Sequence, residues 1–270
     1  MSKGLNVKLL SHTENPELLI ATAGKLCYSP ATIEDLLEKQ TPESIEEFVN
    51  MLVSLGHESP LEHVSFSFGA EGISRIVEIQ LVRHRIASYS IQSGRYVKRS
   101  CPEFIKPERI ENNYVASDIF DNIAEASAKA YNDLFLVLML DQMGFADSVV
   151  NIMSEEEREE LVYKLYEEDR KLYKKYEKVA IEDARYVHLQ SIGVKVICTF
   201  NLRSLINFTR HRECRRAQNE IQNLSKAMME IINDKFPLLG RILGASCRFG
   251  ACPEGNMCCG KPYPKIKIQK

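Results

Sequence analysis

Residues Val194 to Phe200, Val-Lys-Val-Ile-Cys-Thr-Phe, are mostly apolar and β-branched in a chain that otherwise reads largely as helix. Side chains of this kind fit a pleated surface, so the run reads as a buried strand and commits the chain to a sheet. Two further segments read as strands. From Glu62 to Gly69, His63, Ser65, Ser67 and Gly69 interleave with Val64, Phe66 and Phe68, a period of two. Arg95 to Lys98 reads as a short third. Around them apolar residues recur at helical spacing. Pro16 to Leu26 is one such helix. Thr41-Pro42-Glu43 starts another, as N-cap, first-position proline and neighbouring carboxylate. Ile45, Phe48, Val49, Leu52 and Val53 form its apolar stripe and Gly56 ends it. Ile73 to Arg85, Leu202 to Arg212 and about Arg216 to Phe236 read as three more, with Asn201 placed to cap the second. Residues 105–190 read as a charged, solvated helical insertion, rich in Glu, Lys and Tyr from Ser154 to Glu177. Residues 244–270 read as a loop or tail rich in Gly, Pro and Cys. Helices and strands do not alternate strictly. The pattern therefore predicts a mixed α/β fold of the α+β kind, with a central, mostly antiparallel sheet and flanking helices in one domain over residues 1–270.

The 270 residues are 44% hydrophobic and 27% charged, the balance of a soluble globule with a core that needs no staples. Lys+Arg is 35 and Asp+Glu 37, so the net charge of -2 gives no global attraction for nucleic acid or membranes. Neither is expected as a partner. Met1 to Leu10 lacks an apolar signal core, and the longest apolar run, Leu134 to Leu140, is too short to span a bilayer. The expected location is the cytoplasm, where the eight cysteines should be mostly reduced. Four of them crowd the tail: Cys247, Cys252, Cys258 and Cys259. Their irregular spacing, with two adjacent, does not match known zinc modules, so no metal site is expected.

Without a global positive field, an anion must be held by local arginine clusters, and the sequence has two. In Arg83-His84-Arg85, followed after seven residues by Ser93-Gly94-Arg95, guanidinium forks suit phosphate oxygens, and Gly94 permits close backbone approach. This is a site for two phosphate groups, although exposed basic helix ends that make surface ion pairs are common and charge alone leaves that reading open. The second cluster is Arg210, His211, Arg212, Arg215 and Arg216. Arg212 and Arg216, four apart, read as one helical face. Such a patch calls for an anion or carboxylates to neutralise it.

Arg83-His84-Arg85-x7-Ser93-Gly94-Arg95-Tyr96 resembles the signature of the flavin-dependent thymidylate synthases. Three more blocks resemble that family, in its order. They are Gly56-His57-Glu58-Ser59-Pro60-Leu61-Glu62-His63, Glu182-Asp183-Ala184-Arg185-Tyr186-Val187, and Asn201-Leu202-Arg203-Ser204-Leu205-Ile206-Asn207-Phe208 with Arg212 and Arg216-Ala217-Gln218. The resemblance implies methylation of dUMP to dTMP, with methylene-tetrahydrofolate as carbon donor, FAD as cofactor and NADPH as reductant. It implies FAD contacts at His57, Ser59, Glu62, Arg83, His84, Arg85, Asn201, Arg203 and Asn207. For dUMP it implies Gln80, Arg83, Ile91, Ser93, Gly94, Arg95, Arg185, Arg212 and Arg216, with Arg212 as the catalytic group that ionises uracil N3. It also implies a homotetramer with sites shared between subunits, Arg185 coming from a neighbour.

The chain departs from the pattern at Ile91, often Glu or Gln, so that contact would use its backbone or pass to Gln92. It departs again at His211, commonly Leu, and at His188-Leu189, often Leu-Pro. Thymidylate synthases that work without flavin add a Cys thiolate, from a Cys that follows Pro, to the uracil ring, and this chain has no Pro-Cys pair. It also has no Gly-x-Gly-x-x-Gly turn, so a flavin cannot be held by a dinucleotide fingerprint. Ser93 has no evident base beside it and reads as a phosphate ligand. Two other classes compete: an arginine-rich nucleotide- or RNA-binding module without flavin, which should be net basic, and a structural zinc protein built on the tail.

Overall fold

A computed structural model of the chain describes residues 4–266. In chain order the elements are β1 (Asn6–His12), α1 (Pro16–Leu26), α2 (Ile33–Glu38), α3 (Pro42–Leu55), β2 (Ser65–Ser74), α4 (Arg75–Val82), β3 (Ser88–Ile91), α5 (Glu108–Glu111), α6 (Tyr114–Gln142), α7 (Asp147–Val150), α8 (Glu155–Glu168), α9 (Arg170–Ala184), β4 (Gly193–Asn201), α10 (Leu202–Arg212), α11 (Asn219–Lys235) and α12 (Pro237–Gly240), with short 3-10 turns between some of them. The four strands form one antiparallel sheet of order β1-β2-β4-β3, so the fold is mixed α/β. The chain divides into two compact units. One holds Ser74–Ile76 and Ile91–Val194; the other holds residues 4–73, Val77–Ser90 and residues 195–266.

In the second unit the sheet is buried on one face. Along β4, Val194, Val196, Cys198 and Phe200 are buried, while Lys195 and Ile197 are exposed. β4 is therefore a strand of period two, not one buried on both faces. Its solvent side carries cross-strand pairs: Lys195 Nζ lies 3.5 Å from Glu71 Oε2, and the Ser67 and Thr199 hydroxyls are 2.8 Å apart. On β2, Phe66, Phe68 and Ala70 point into the core. That strand starts at Ser65 and runs to Ser74, later and longer than the expected 62–69. Ser59–His63 is instead a 3-10 turn, begun by Pro60 with its fixed φ. The expected strand over Arg95 to Lys98 is a turn, because the Ser93 hydroxyl accepts the Arg95 N–H at 3.2 Å and bends the chain there. The nearby strand is β3. Strand β1 carries only a weak alternation, being mostly exposed, and pairs antiparallel with β2.

The helices named from the sequence form, but two are shorter than expected: α4 covers Arg75–Val82, not 73–85, because Ile73 and Ser74 still belong to β2, and α11 starts at Asn219, not near Arg216. Arg216 lies outside any helix: α10 ends at Arg212, and the chain turns where the buried Glu213 carboxylate accepts the Ala245 N–H at 2.6 Å and the Arg248 Nε–H at 2.8 Å. Arg212 and Arg216 therefore do not share a helical face. Residues 105–190 are not simply solvated helices. α6, α8 and α9 enclose a core of their own, with Tyr131, Phe135, Met139, Val162, Tyr173 and Ile181.

The end of α3 rests on one backbone conformation. Gly56 has φ 73 and its N–H reaches the Leu52 and Val53 carbonyls. A Cβ there would meet nothing within 4 Å, so a substitution is opposed by backbone conformation alone. Gly56→Ala should cost about 1 kcal/mol in urea unfolding, and Gly56→Asn less, because Asn tolerates the left-handed region. Equal losses from the two would show that side-chain crowding decides this position.

Candidate active site

The unit that holds the sheet collects most of the expected flavin residues around α4 and α10. Asn201 Oδ1 accepts the Ser204 N–H at 2.8 Å and starts α10 directly from β4. The Ser204 hydroxyl donates to the Ile86 carbonyl, which makes His84 Nε2, 2.6 Å away, the donor to that hydroxyl. The His84 ring packs against Phe200 and Phe208 at 5.5 and 5.7 Å. Burial, Arg212 and His211 hold its pKa below the usual value, so it stays neutral near pH 7. Arg83 and Arg85 on either side are exposed. Arg212 Nη2 donates to the Gln80 carbonyl at 3.1 Å; burial and the neighbouring Arg83 charge lower its pKa from the ordinary guanidinium value. The Gln80 amide donates in turn to Gln218.

Arg203, Arg210 and Arg216 of this unit are paired with carboxylates. Arg203 lies 3.3 Å from Glu58 and also bonds Glu62, and Arg210 lies 3.5 Å from Glu58. His57, Ser59 and Asn207 are exposed. Arg216 is gripped by the tail: its Nη1 donates to Glu254 Oε2 at 3.1 Å and to the Met257 carbonyl at 2.7 Å. A cavity of about 320 Å³ is lined by Arg210, Arg212, Arg215 and Arg216 together with Cys247, Cys252, Cys258 and Cys259. Among the described residues no three His, Cys, Asp or Glu side chains are grouped to hold a metal ion. All eight cysteines are free thiols.

The other unit brings together Gly94, Arg95 and Arg185. Arg185 packs along Gly94, where a Cβ would lie 3.8 Å from Arg185 Cδ. Arg95 Nη2 pairs with Glu182 Oε1 at 2.5 Å, and Arg185 Nε donates to the Glu182 carbonyl at 3.2 Å. Ser93 supplies the turn described above and Ile91 ends β3. Gln92 accepts from Arg99 Nη2 at 3.4 Å. A cavity of about 440 Å³ is lined by Arg75, Gly94, Arg99, Arg185 and His188, among others. Three guanidinium groups around one hollow suit a phosphate-bearing ligand.

The chain matches the model of the family described as thymidylate synthase complementing protein over residues 8–238. It is 44% identical to a flavin-dependent thymidylate synthase of Clostridium tetani over 265 residues, covering 98% of this chain and 97% of that one. It is 36% identical to the enzyme of that name from Geobacter sulfurreducens, covering 95% and 94% of the two chains. It is 34% identical to the one from Pyrococcus horikoshii, covering 94% and 91%. The chain belongs to the flavin-dependent thymidylate synthase family. Membership gives no support to a flavin-free nucleotide- or RNA-binding module. No helix among the described residues is long and apolar enough to cross a membrane.

Several residues of this thymidylate synthase fold escaped the sequence reading. Glu58 and Glu182 sit inside the matched blocks, but only proximity in space shows that they neutralise Arg203, Arg210 and Arg95. Arg75 and Arg99 lie outside every block. His188 stood out as a departure, and its surroundings were not legible. Its ring stacks on Tyr131 at 4.3 Å, and neither ring nitrogen, both buried, has a hydrogen-bond partner among the described residues. Burial and the Arg99 charge push its pKa from 6.5 to about 4.

The unfolded chain takes up this proton near the ordinary histidine value, whereas the folded chain resists it down to about 4. The stability that neutral His188 contributes is thus complete above pH 6.5 and is lost as pH falls from there through about 4. His188→Leu should lose less stability than the parent when urea midpoints at pH 7 and pH 5 are compared. Equal losses would mean that His188 titrates normally.

Proposed function

We propose that this chain catalyses the reductive methylation of dUMP to dTMP in the cytoplasm, with methylene-tetrahydrofolate as carbon donor, FAD as the flavin and NADPH as reductant. The observation that carries the reading is Arg212, half-buried beside Arg83 and braced on the Gln80 carbonyl. A guanidinium fixed in this way keeps further N–H donors for a uracil ring. It would stabilise the negative charge that develops at N3 and its neighbouring carbonyl, which makes C5 nucleophilic without an enzyme thiolate. Cys198 is an unsuitable alternative, because burial pushes its thiol up to about 12. Ser93, whose hydroxyl accepts the Arg95 N–H, serves the turn and the phosphate.

The donor types fit the cofactor. Exposed Arg83 and Arg85, with Arg203, His57 and Asn207, offer guanidinium, imidazole and amide groups to a pyrophosphate. Asn201 commits its oxygen to the helix cap and retains its amide N–H groups. Ser59 and Glu62 border the same turn, and neutral His84 supports Ser204 from behind. When bound and reduced, FAD supplies the hydride. The family pattern assigns Ser93, Gly94, Arg95 and Arg185 to the dUMP phosphate cradle, a backbone contact to Ile91, and Gln80, Arg83 and Arg216 to the nucleotide. Arg185 lies beside Gly94 of its own chain, so the cradle does not by itself demand a neighbour. A homotetramer with shared sites is supported by the family pattern and by an exposed apolar stripe on α6, with Val115 at 65%, Ile119 at 59% and Ile123 at 54% exposure.

The purified protein should show a flavin spectrum that NADPH bleaches, and dTMP should appear when dUMP and methylene-tetrahydrofolate are added. A colourless protein that takes up no FAD would sink the proposal. Arg212→Ala should lower kcat about 100- to 1,000-fold while flavin content and unfolding midpoint hold, the usual effect of losing one such donor. Unchanged turnover in that variant would place the activating group elsewhere.

A further inference from the structure

Cys252 and Cys258 bracket the segment Pro253-Glu254-Gly255-Asn256-Met257. Both tail contacts to Arg216 come from inside it: the Glu254 carboxylate at 3.1 Å and the Met257 carbonyl at 2.7 Å. The segment is a short 3-10 turn, Gly255–Met257, closed by the Met257 N–H on the Glu254 carbonyl and the Cys258 N–H on the Gly255 carbonyl. It therefore turns Cys258 back toward Cys252, near enough for each thiol to shift the other's pKa. Cys258 is exposed and Cys252 partly so, and both line the arginine cavity. The other two tail thiols lie in the same cavity and act on this pair, Cys247 on Cys252 and Cys259 on Cys258, and each accepts a backbone N–H as well. Cys247 accepts the Tyr263 N–H at 3.5 Å, and Cys259 accepts the Lys261 N–H at 3.4 Å.

We propose that Cys252 and Cys258 form a redox-active dithiol that reacts with small-molecule disulfides and, once bridged, locks the tail's grip on Arg216. The Gly260 N–H first, then the Cys252 thiol, and less strongly the Cys259 thiol and the Arg216 charge, hold the Cys258 thiol below its usual range against the opposing effect of burial. The Glu254 N–H lowers the Cys252 thiol, but the contact with Cys258, burial and the nearby thiols outweigh it and leave Cys252 raised. Cys258 is thus the attacking thiolate and Cys252 the resolving one. Cys258 Sγ attacks one sulfur of the external disulfide; that S–S bond breaks, and the leaving thiolate takes up a proton. Cys252, giving up its proton, then attacks Cys258 Sγ and expels the second external thiol. Two protein thiols are oxidised and one external disulfide is reduced to two thiols. The bridge closes a loop whose interior holds Glu254 and Met257, so Arg216 is kept on the tail and away from an incoming nucleotide. That last consequence rests on the assignment of Arg216 to the dUMP site; the thiol chemistry does not.

The test uses the full-length flavin-loaded protein, reduced, freed of small thiols and treated with oxidised glutathione. The intact mass should fall by two hydrogens without an adduct, and peptide mapping should find Cys252 joined to Cys258. Cys252→Ser should trap glutathione on Cys258, whereas Cys258→Ser should react at Cys252 on the order of tenfold more slowly. A stable glutathione adduct on the parent chain, a bridge between any other pair, or a stoichiometric metal ion that shields both thiols would overturn the proposal. In the bridged protein dUMP should bind more weakly, and reduction should restore it. Unchanged dUMP affinity in fully bridged protein would overturn the coupling to Arg216 and leave the thiol chemistry standing.

Discussion

The cap that Asn201 places on α10 sets the geometry on which much of the candidate site depends. The strand β4 ends at the residue whose side chain accepts the Ser204 N–H, so strand and helix meet without a loop between them. A side-chain cap of this kind stabilises a helix by about 1 kcal/mol. Its larger effect is to fix the rotation of α10. With the helix fixed, Leu202, Leu205, Ile206 and Phe208 face the core, Arg203, Asn207 and Arg210 share the outer stripe, and Arg212 follows Phe208 by one turn on the half-buried side. Ser204 then joins α10 to the segment after α4 by receiving His84 and donating to Ile86. One junction thereby positions residues from three of the four matched sequence blocks.

A chain of net charge -2 carries its clustered arginines largely as ion pairs. Arg95 leans on Glu182, Arg203 on Glu58 and Glu62, Arg210 on Glu58, and Arg216 on Glu254. These pairs are largely exposed, and such pairs hold weakly. A phosphate, which accepts bidentate hydrogen bonds and carries more charge than one carboxylate, competes well for the same guanidinium groups. The carboxylates thus offset the positive charges that these arginines would otherwise pack together. Arg212 is held differently. It is braced on a backbone carbonyl beside another arginine and is not committed to a carboxylate.

The tail is fastened from the opposite side of this patch. Glu213, buried directly after α10, binds Arg248, and the Tyr263 hydroxyl donates to the Glu213 carbonyl at 3.1 Å. The Tyr263 ring lies between the Arg215 and Arg248 guanidinium groups, each 4.3 Å from its centroid. A segment without regular secondary structure is held in this way by an ion pair and two cation–π contacts, which brings the four tail thiols against the arginine cavity.

The sequence by itself determined the family, through four blocks in fixed order, and the local structures with strong local signals. The Thr41-Pro42 start of α3, its Gly56 end and the Asn201 cap are decided by residues within a few positions of one another. Period two gave β2 its buried face, but not its ends, because Pro60 and the pairing with β1 act from outside the window. The strand expected at Arg95 to Lys98 failed for a similar reason: a single Ser93 hydroxyl overrode a weak β pattern. Tertiary structure alone decided that Arg216 leaves the helix for the tail, that Glu182 meets Arg95, and that His188 stacks on Tyr131 with both nitrogens unpaired. These are contacts between side chains set by the path of the backbone. A linear pattern records which residues can form them, whereas burial and distance determine which ones do.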